Sequence, residues 1–164
     1  METKLWPILR AHGIHFVAFW LVLFTDLLSC PTTHHRAQNN RAIASGFLTG
    51  NLVNGNHAGT RLADDNPLGK AFQRMYGAEE VMQAVKTFDK ETRGLGLTPL
   101  EVALRWIFHH SKLTDDDCVL LGASKAAQII ENVALIRKGP LPEDVLPLVD
   151  ELWESVKATR GEII

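Results

Sequence analysis

Cysteine is scarce in this chain: Cys30 and Cys118 stand among 164 residues, far apart and without the paired spacing of a zinc site. A disulfide scaffold is thereby excluded as the source of stability, and both side chains are expected as free thiols in a reducing, cytoplasmic setting. Tyrosine is scarcer still, with Tyr76 alone, so chemistry that needs a phenol has one candidate. An excess of charge of either sign is also lacking. The formal net charge is -2, and the basic residues are dispersed, which argues against a nucleic-acid or anionic-membrane surface. Long hydrophobic runs are missing as well: the apolar stretch 17–24 is too short to span a bilayer, and Asp26 interrupts its extension. What is present is 46% hydrophobic and 22% charged residues, a globular composition with enough apolar side chain for one domain. There is no internal repeat and no low-complexity tract.

Periodicity supplies the elements. Residues 2–12 read as a helix with Leu5, Ile8 and Leu9 on one face, and 15–19 as a strand. Residues 51–70 are polar and rich in Gly and Asn, which predicts a loop. Val81, Ala84, Val85 and Phe88 predict an amphipathic helix over 78–92, stopped by Gly94 and Gly96. Thr98-Pro99, with Glu101 three residues after the cap, starts another helix carrying Val102, Leu104, Trp106 and Ile107. His109 and His110 at its end are adjacent, so they point about 100° apart and are poorly placed to chelate one ion. A helix C-terminus that favours cationic side chains is the expected reason for them. His34 and His35 lack any accompanying ligand cluster. A last helix is expected over 142–159, presenting Val145, Leu148, Val149, Leu152 and Val156, with Trp153 near that face.

The stretch Cys118-Val-Leu-Leu-Gly122-Ala-Ser124-Lys125-Ala-Ala-Gln128-Ile-Ile-Glu131-Asn132 holds the most chemistry. Residues 119–121 read as a buried strand, Gly122 lets a ligand approach the backbone, and Ser124 is an expected N-cap, which together make an anion site at a helix start. Lys125 adds a charge suited to phosphate. Gln128, Glu131 and Asn132 fall on one helical face above the turn, with groups able to bond an adenine edge or a ribose. The same helix is expected to bury Ile129, Ile130, Val133 and Ile136 and to end at Gly139-Pro140. A small-residue turn opening a helix is also a common structural device, so the motif gains meaning from its context.

Gly122-Ala-Ser-Lys-x-x-Gln-x-x-Glu-Asn resembles the adenosine 2'-phosphate segment of the aldo-keto reductases, after the eighth barrel strand. Ile43-Ala44-Ser45-Gly46-Phe47-Leu48-Thr49-Gly50 is similar to the loop after the seventh strand, which covers the cofactor pyrophosphate in that family. The wording around Leu100-Glu-Val-Ala-Leu-Arg105-Trp106 and Gly139-Pro140-Leu141 is similar to the aflatoxin-aldehyde-reductase-like branch, its fungal members above all. The resemblance begins at Glu2. It implies an α/β fold, the helix-rich C-terminal portion of a (β/α)8 TIM barrel. A complete barrel takes about 250 residues, so 1–164 is expected as a partial domain.

One segment departs from the pattern. Residues 20–42 intervene where the family runs from strand to pyrophosphate loop within a few residues, and they join an apolar front to a polar tail, His34-His35-Arg36-Ala-Gln38-Asn39-Asn40-Arg41. Neither half fits a barrel loop, so the segment reads as an insertion or an unspliced stretch. Leu27-Leu-Ser-Cys30 resembles a lipoprotein cleavage box, but the residues before it match an enzyme helix rather than a basic leader.

The implied chemistry is NADP-dependent reduction of an aldehyde or ketone to an alcohol. By resemblance, the amides around Ala44, Ser45, Gly46 and Leu48 hold the pyrophosphate, Ser124 and Lys125 the 2'-phosphate, and Gln128, Glu131 and Asn132 the adenosine. Ser124 and Lys125 offer a donor and a cation with no acidic residue at the ribose 2' position, which favours NADP over NAD. Arg61 either neutralises a cofactor phosphate or is a solvated loop charge. Many relatives have Gly-Lys where this chain has Gly50-Asn51, which removes one phosphate contact. The family's Tyr/Lys/Asp/His tetrad belongs to the first half of the barrel, and Tyr76 lies outside any catalytic motif, so no catalytic residue is assigned here. The implied partner is a small-molecule carbonyl, in fungal secondary metabolism by the branch resembled, with a homo-oligomer as an open alternative to a monomer. A second reading is a non-catalytic degenerate fragment or an interaction protein.

Overall fold

Thr98 shows how sequence sets structure in this chain. Its hydroxyl accepts from the Glu101 backbone N–H at 3.1 Å, and Pro99 occupies the first helical turn, where a missing N–H costs nothing. The helix that follows is one of those in the computed structural model, which describes residues 11, 15–19, 36–40, 44–60, 62–115, 117–121, 123 and 125–160. The helix expected over 2–12 lies almost wholly outside them.

Strands β1 (His15–Phe19), β2 (Arg36–Asn40) and β3 (Cys118–Leu120) form a parallel sheet in the order β2-β1-β3. His15 pairs with Arg36 and Val17 with Cys118. Between β2 and β3 come a 3-10 segment (Ala44–Thr49) and helices α1 (Pro67–Tyr76), α2 (Glu79–Gly94) and α3 (Pro99–His109). After β3 come α4 (Ala126–Ile136), a 3-10 turn (Glu143–Val145) and α5 (Leu146–Arg160). Parallel strands need a long crossover, and between β2 and β3 these helices make it.

Two apolar clusters sit on the faces of α2. Phe47, Leu62, Tyr76, Val81 and Val85 form one, and Phe88, Val102, Leu141 and Val145 the other. Half-buried Leu152 of α5 packs against both, which explains why α2 and α5 lie side by side.

Several expectations need correction. The polar tail of the odd segment, read as fitting no barrel loop, contains β2, a strand that the sequence did not lead one to expect. A strand at the edge of a sheet is held by backbone hydrogen bonds and tolerates polar composition, so hydrophobic alternation gave no signal for it. Residues 67–70, read as loop, open α1, with Pro67 in the N-terminal position that suits its missing N–H. Ile130, expected in the core, is 71% exposed, and Trp153 is 44% exposed. Asn132 takes the buried place on α4 instead. Strand β3 falls one residue earlier than expected, and β1 and α2 lie where periodicity put them.

Candidate functional site

The 3-10 segment is built around Phe47, which is 1% exposed and stacks on Tyr76 with ring centroids 4.9 Å apart and planes 11° from parallel. Such offset stacking adds to what burial alone contributes. The Thr49 hydroxyl donates to the Gly46 carbonyl at 2.6 Å, and the Gly50 N–H donates to the Phe47 carbonyl at 3.2 Å. The chain then turns again, with the Asn54 N–H donating to the Gly50 carbonyl at 3.1 Å. Ala44, Ser45, Gly46 and Leu48, the expected pyrophosphate residues, all belong to this segment. The sequence reading passed over Phe47, the side chain that pins them.

It also missed Asp89. This carboxylate lies on the buried stripe of α2 beside Val85 and Phe88, and the residue is 7% exposed. Its Oδ2 accepts from Asn54 Nδ2 at 3.0 Å, and its Oδ1 accepts from Arg93 Nε at 2.8 Å. A Cβ on Gly50 would stand 2.9 Å from Oδ1, and Gly50 has φ +78°. The available signal was an acid on the apolar face of a helix, which must find partners because an unpaired buried charge is costly.

The loop leading to α1 is braced separately. His57 Nε2 lies 3.3 Å from Asp64 Oδ2, and Gln73 Nε2 donates to Asp64 Oδ1 at 2.8 Å and to the Leu62 carbonyl at 2.7 Å. The hydrogen bond from Gln73, followed by that from His57, holds the Asp64 carboxyl below its ordinary value of 3.8. Arg61 lies outside the described residues, as do Gly122 and Ser124.

At the start of α4, Lys125 stands in the N-cap position with an exposed side chain. Its backbone N–H donates to Gln128 Oε1 at 3.2 Å, so Gln128 closes the helix start as well as facing solvent. Glu131 is exposed, whereas Asn132 is 2% exposed and its Nδ2 has no hydrogen-bond partner among the described residues. The expected single open face is therefore split between two exposed residues and a buried one.

Helix α3 supports both parts, since the 3-10 segment and α4 each pack against it. Arg105 Nη1 meets Glu101 Oε1 at 2.8 Å, its Nε donates to the Gly139 carbonyl at 2.8 Å, and its Nη2 donates to the Pro140 carbonyl. Lys138 Nζ reaches the other Glu101 oxygen at 3.0 Å. Glu101, expected to complete a capping box, is thus spent on a buried ion pair. The histidines have a different role from the one expected: His110 Nε2 accepts from the Leu141 N–H at 2.8 Å, so that nitrogen carries no proton, and His109 Nε2 lies 2.9 Å from the Ile136 carbonyl. Both tie the end of α4 to α3, and a cationic role at the helix terminus does not describe His110. Among the described residues, no group of three or more His, Cys, Asp or Glu side chains is placed to hold a metal ion.

One helix thus carries two anchored segments, one following β2 and the other opening a helix with a lysine at its N-cap. The model for the aldo/keto reductase family matches residues 1–154, and the chain belongs to that family. The family implies a (β/α)8 barrel and an oxidoreductase. An aldo-keto reductase of Pseudocercospora fijiensis is 32% identical over 98% of this chain and 49% of its own length. The oxidoreductase sirO of Leptosphaeria maculans is 30% identical over 95% of this chain and 42% of its own. Aflatoxin B1 aldehyde reductase member 2 of Mus musculus is 27% identical, over 95% and 39% respectively. The chain spans about half the length, or less, of these relatives.

Proposed function

We propose that this chain is the cofactor-binding part of an NADPH-dependent aldo-keto reductase that converts an aldehyde or ketone to an alcohol. Fungal relatives support a substrate from secondary metabolism. Within the chain, the backbone around Ala44, Ser45, Gly46 and Leu48 holds the pyrophosphate, Ser124 and Lys125 the 2'-phosphate, and Gln128, Glu131 and Asn132 the adenosine, with Gly122 allowing close approach and Arg61 a further phosphate contact. The observation that carries this reading is the Asn132 amide, buried with Nδ2 unpartnered among the described residues, beyond the exposed lysine that opens α4. An orphaned buried donor of this kind is expensive unless a ligand completes it.

When bound, the reduced nicotinamide supplies hydride to the substrate carbonyl carbon. The residues here bind and orient; none is assigned as the proton donor, because Tyr76 is 3% exposed and packed on Phe47. The 164-residue chain is therefore a cytoplasmic partial barrel that holds NADP without turning over substrate. Among the described residues, no helix is long and apolar enough to cross a membrane. Residues 20–42 are an insertion or an unspliced stretch in this reading, and full-length transcripts that join codon 19 to codon 43 would bear that out. Transcripts that all retain the segment would end that part of the proposal. The functional reading is tested by assaying the purified chain with NADPH and a reactive aldehyde: binding without turnover is expected. Turnover that is abolished by Lys125→Ala would overturn the expected inactivity.

A further inference from the structure

The carboxylate of Asp89 has no part in the cofactor contacts above, yet it is buried against residues 50 and 54, directly after the chain that makes them. Its two oxygens are divided between partners of different kinds. Arg93, one turn along the same helix and half exposed, balances the charge. Asn54, from the loop, takes the other oxygen, and Gly50 lies against the first. Helix α2 is itself fixed by buried Val81, Val85 and Phe88, so the carboxylate is a rigid post. The Asn54 side chain bonds that post, its N–H bonds the Gly50 carbonyl, and Gly50 sits so near the carboxylate that a Cβ there would clash with it. Any shift of Gly50 moves the Phe47 carbonyl to which its N–H is bonded, and with it the 3-10 segment.

We propose that Asp89 is a positioning residue: it fixes the backbone of residues 47–54 and so sets the affinity of the preceding amides for the cofactor pyrophosphate without touching the cofactor. The affinity half of this inference rests on the cofactor reading; the positioning half stands on the geometry.

The test uses the full 164-residue chain with Asp89→Ala, Asp89→Asn and Asn54→Ala, the last changing an exposed loop residue outside both apolar clusters. Calorimetric titration with NADPH and with 2'-AMP separates the two ends of the site, because 2'-AMP has no pyrophosphate. Asp89→Ala and Asn54→Ala are expected to weaken NADPH about tenfold, the scale of one lost hydrogen bond to a charged group. Affinity for 2'-AMP is expected to stay within about twofold, since its main contacts lie at the start of α4 and along it, away from Asp89. Asp89→Asn, which keeps an oxygen able to accept from Asn54, is expected to fall between. Amide hydrogen exchange at Gly50 and Asn54 is expected to rise about tenfold in Asn54→Ala while Val102 and Leu104 are unchanged. Parallel weakening of both ligands, or unchanged exchange at Gly50 and Asn54, would overturn the inference. If the unsubstituted chain binds neither ligand, the cofactor reading fails, and the exchange data alone decide whether Asp89 positions the loop.

Discussion

The segment 44–56 and helix α4 both rest on α3, but the first is gripped under its middle and the second at its far end. Below the segment lie the Phe47–Tyr76 stack and the Asp89 carboxylate. Along α4, the ties run from Glu101, Arg105, His109 and His110 of α3 and its end to positions 136–141, while Lys125 and Gln128 at its start stay exposed. A backbone that binds by its amides has to be held in shape along its length. A helix that binds by its first turns needs only its last turn fixed. The contrast teaches that the stabilising contacts of this chain lie away from the surfaces proposed to meet a ligand.

The largest effect is expected from Arg105→Met, at the far end of α4. It strands Glu101, whose side chain is 5% exposed, with Lys138 alone and frees the Gly139 and Pro140 carbonyls. Removing one partner of a buried pair costs about 3–5 kcal/mol. Urea unfolding should register a loss of that size; a loss within the noise of the measurement would mean that α4 is held by something else. Gly50→Ala attacks the other region. A side chain at φ +78° is strained, and the Asp89 oxygen it would meet is held by Arg93. A cost of about 2 kcal/mol is expected, and a neutral result would show that the post gives way freely.

Asn132→Leu sharpens the functional side. It removes the unpartnered Nδ2 from a buried place, so stability is expected to rise by about 1 kcal/mol. NADPH binding is expected to fall at the same time. A gain in stability with intact binding would show that the buried amide is a packing accident. The smallest effect concerns Asp64. Its folded carboxyl titrates below its ordinary 3.8, so its contribution is present above that value and is lost as pH falls through the folded pKa. In Gln73→Ala the carboxyl resonance of Asp64, followed by NMR, should titrate at a higher pH than in the parent chain. An unmoved titration would assign the shift to His57 instead.

The legible part of this molecule was the part governed by period and caps. Val81, Val85 and Phe88 announced α2, Thr98-Pro99 announced α3, and the two glycine-containing motifs announced the family. Strand β2 was hidden because its pairing is made by backbone groups that no side-chain pattern reports. Asp89, Arg105 and Glu101 were hidden because a charge on an apolar stripe does not name its partner, and those partners lie 34 to 37 positions away in the cases of Asn54, Gly139 and Lys138. Ile130 and Asn132 exchanged places because neighbouring positions on α4 differ by a rotation that periodicity alone does not settle.

In the proposed reading, this chain holds an NADP-type cofactor through the segment at 44–48 and the start of α4. The most direct measurement is calorimetric titration of the full chain with NADPH and with NADH under identical salt. Preference for NADPH by about tenfold or more is expected, since the 2'-phosphate adds charge-assisted hydrogen bonds at Lys125. Equal affinity for the two nucleotides, or heat from neither, would contradict it.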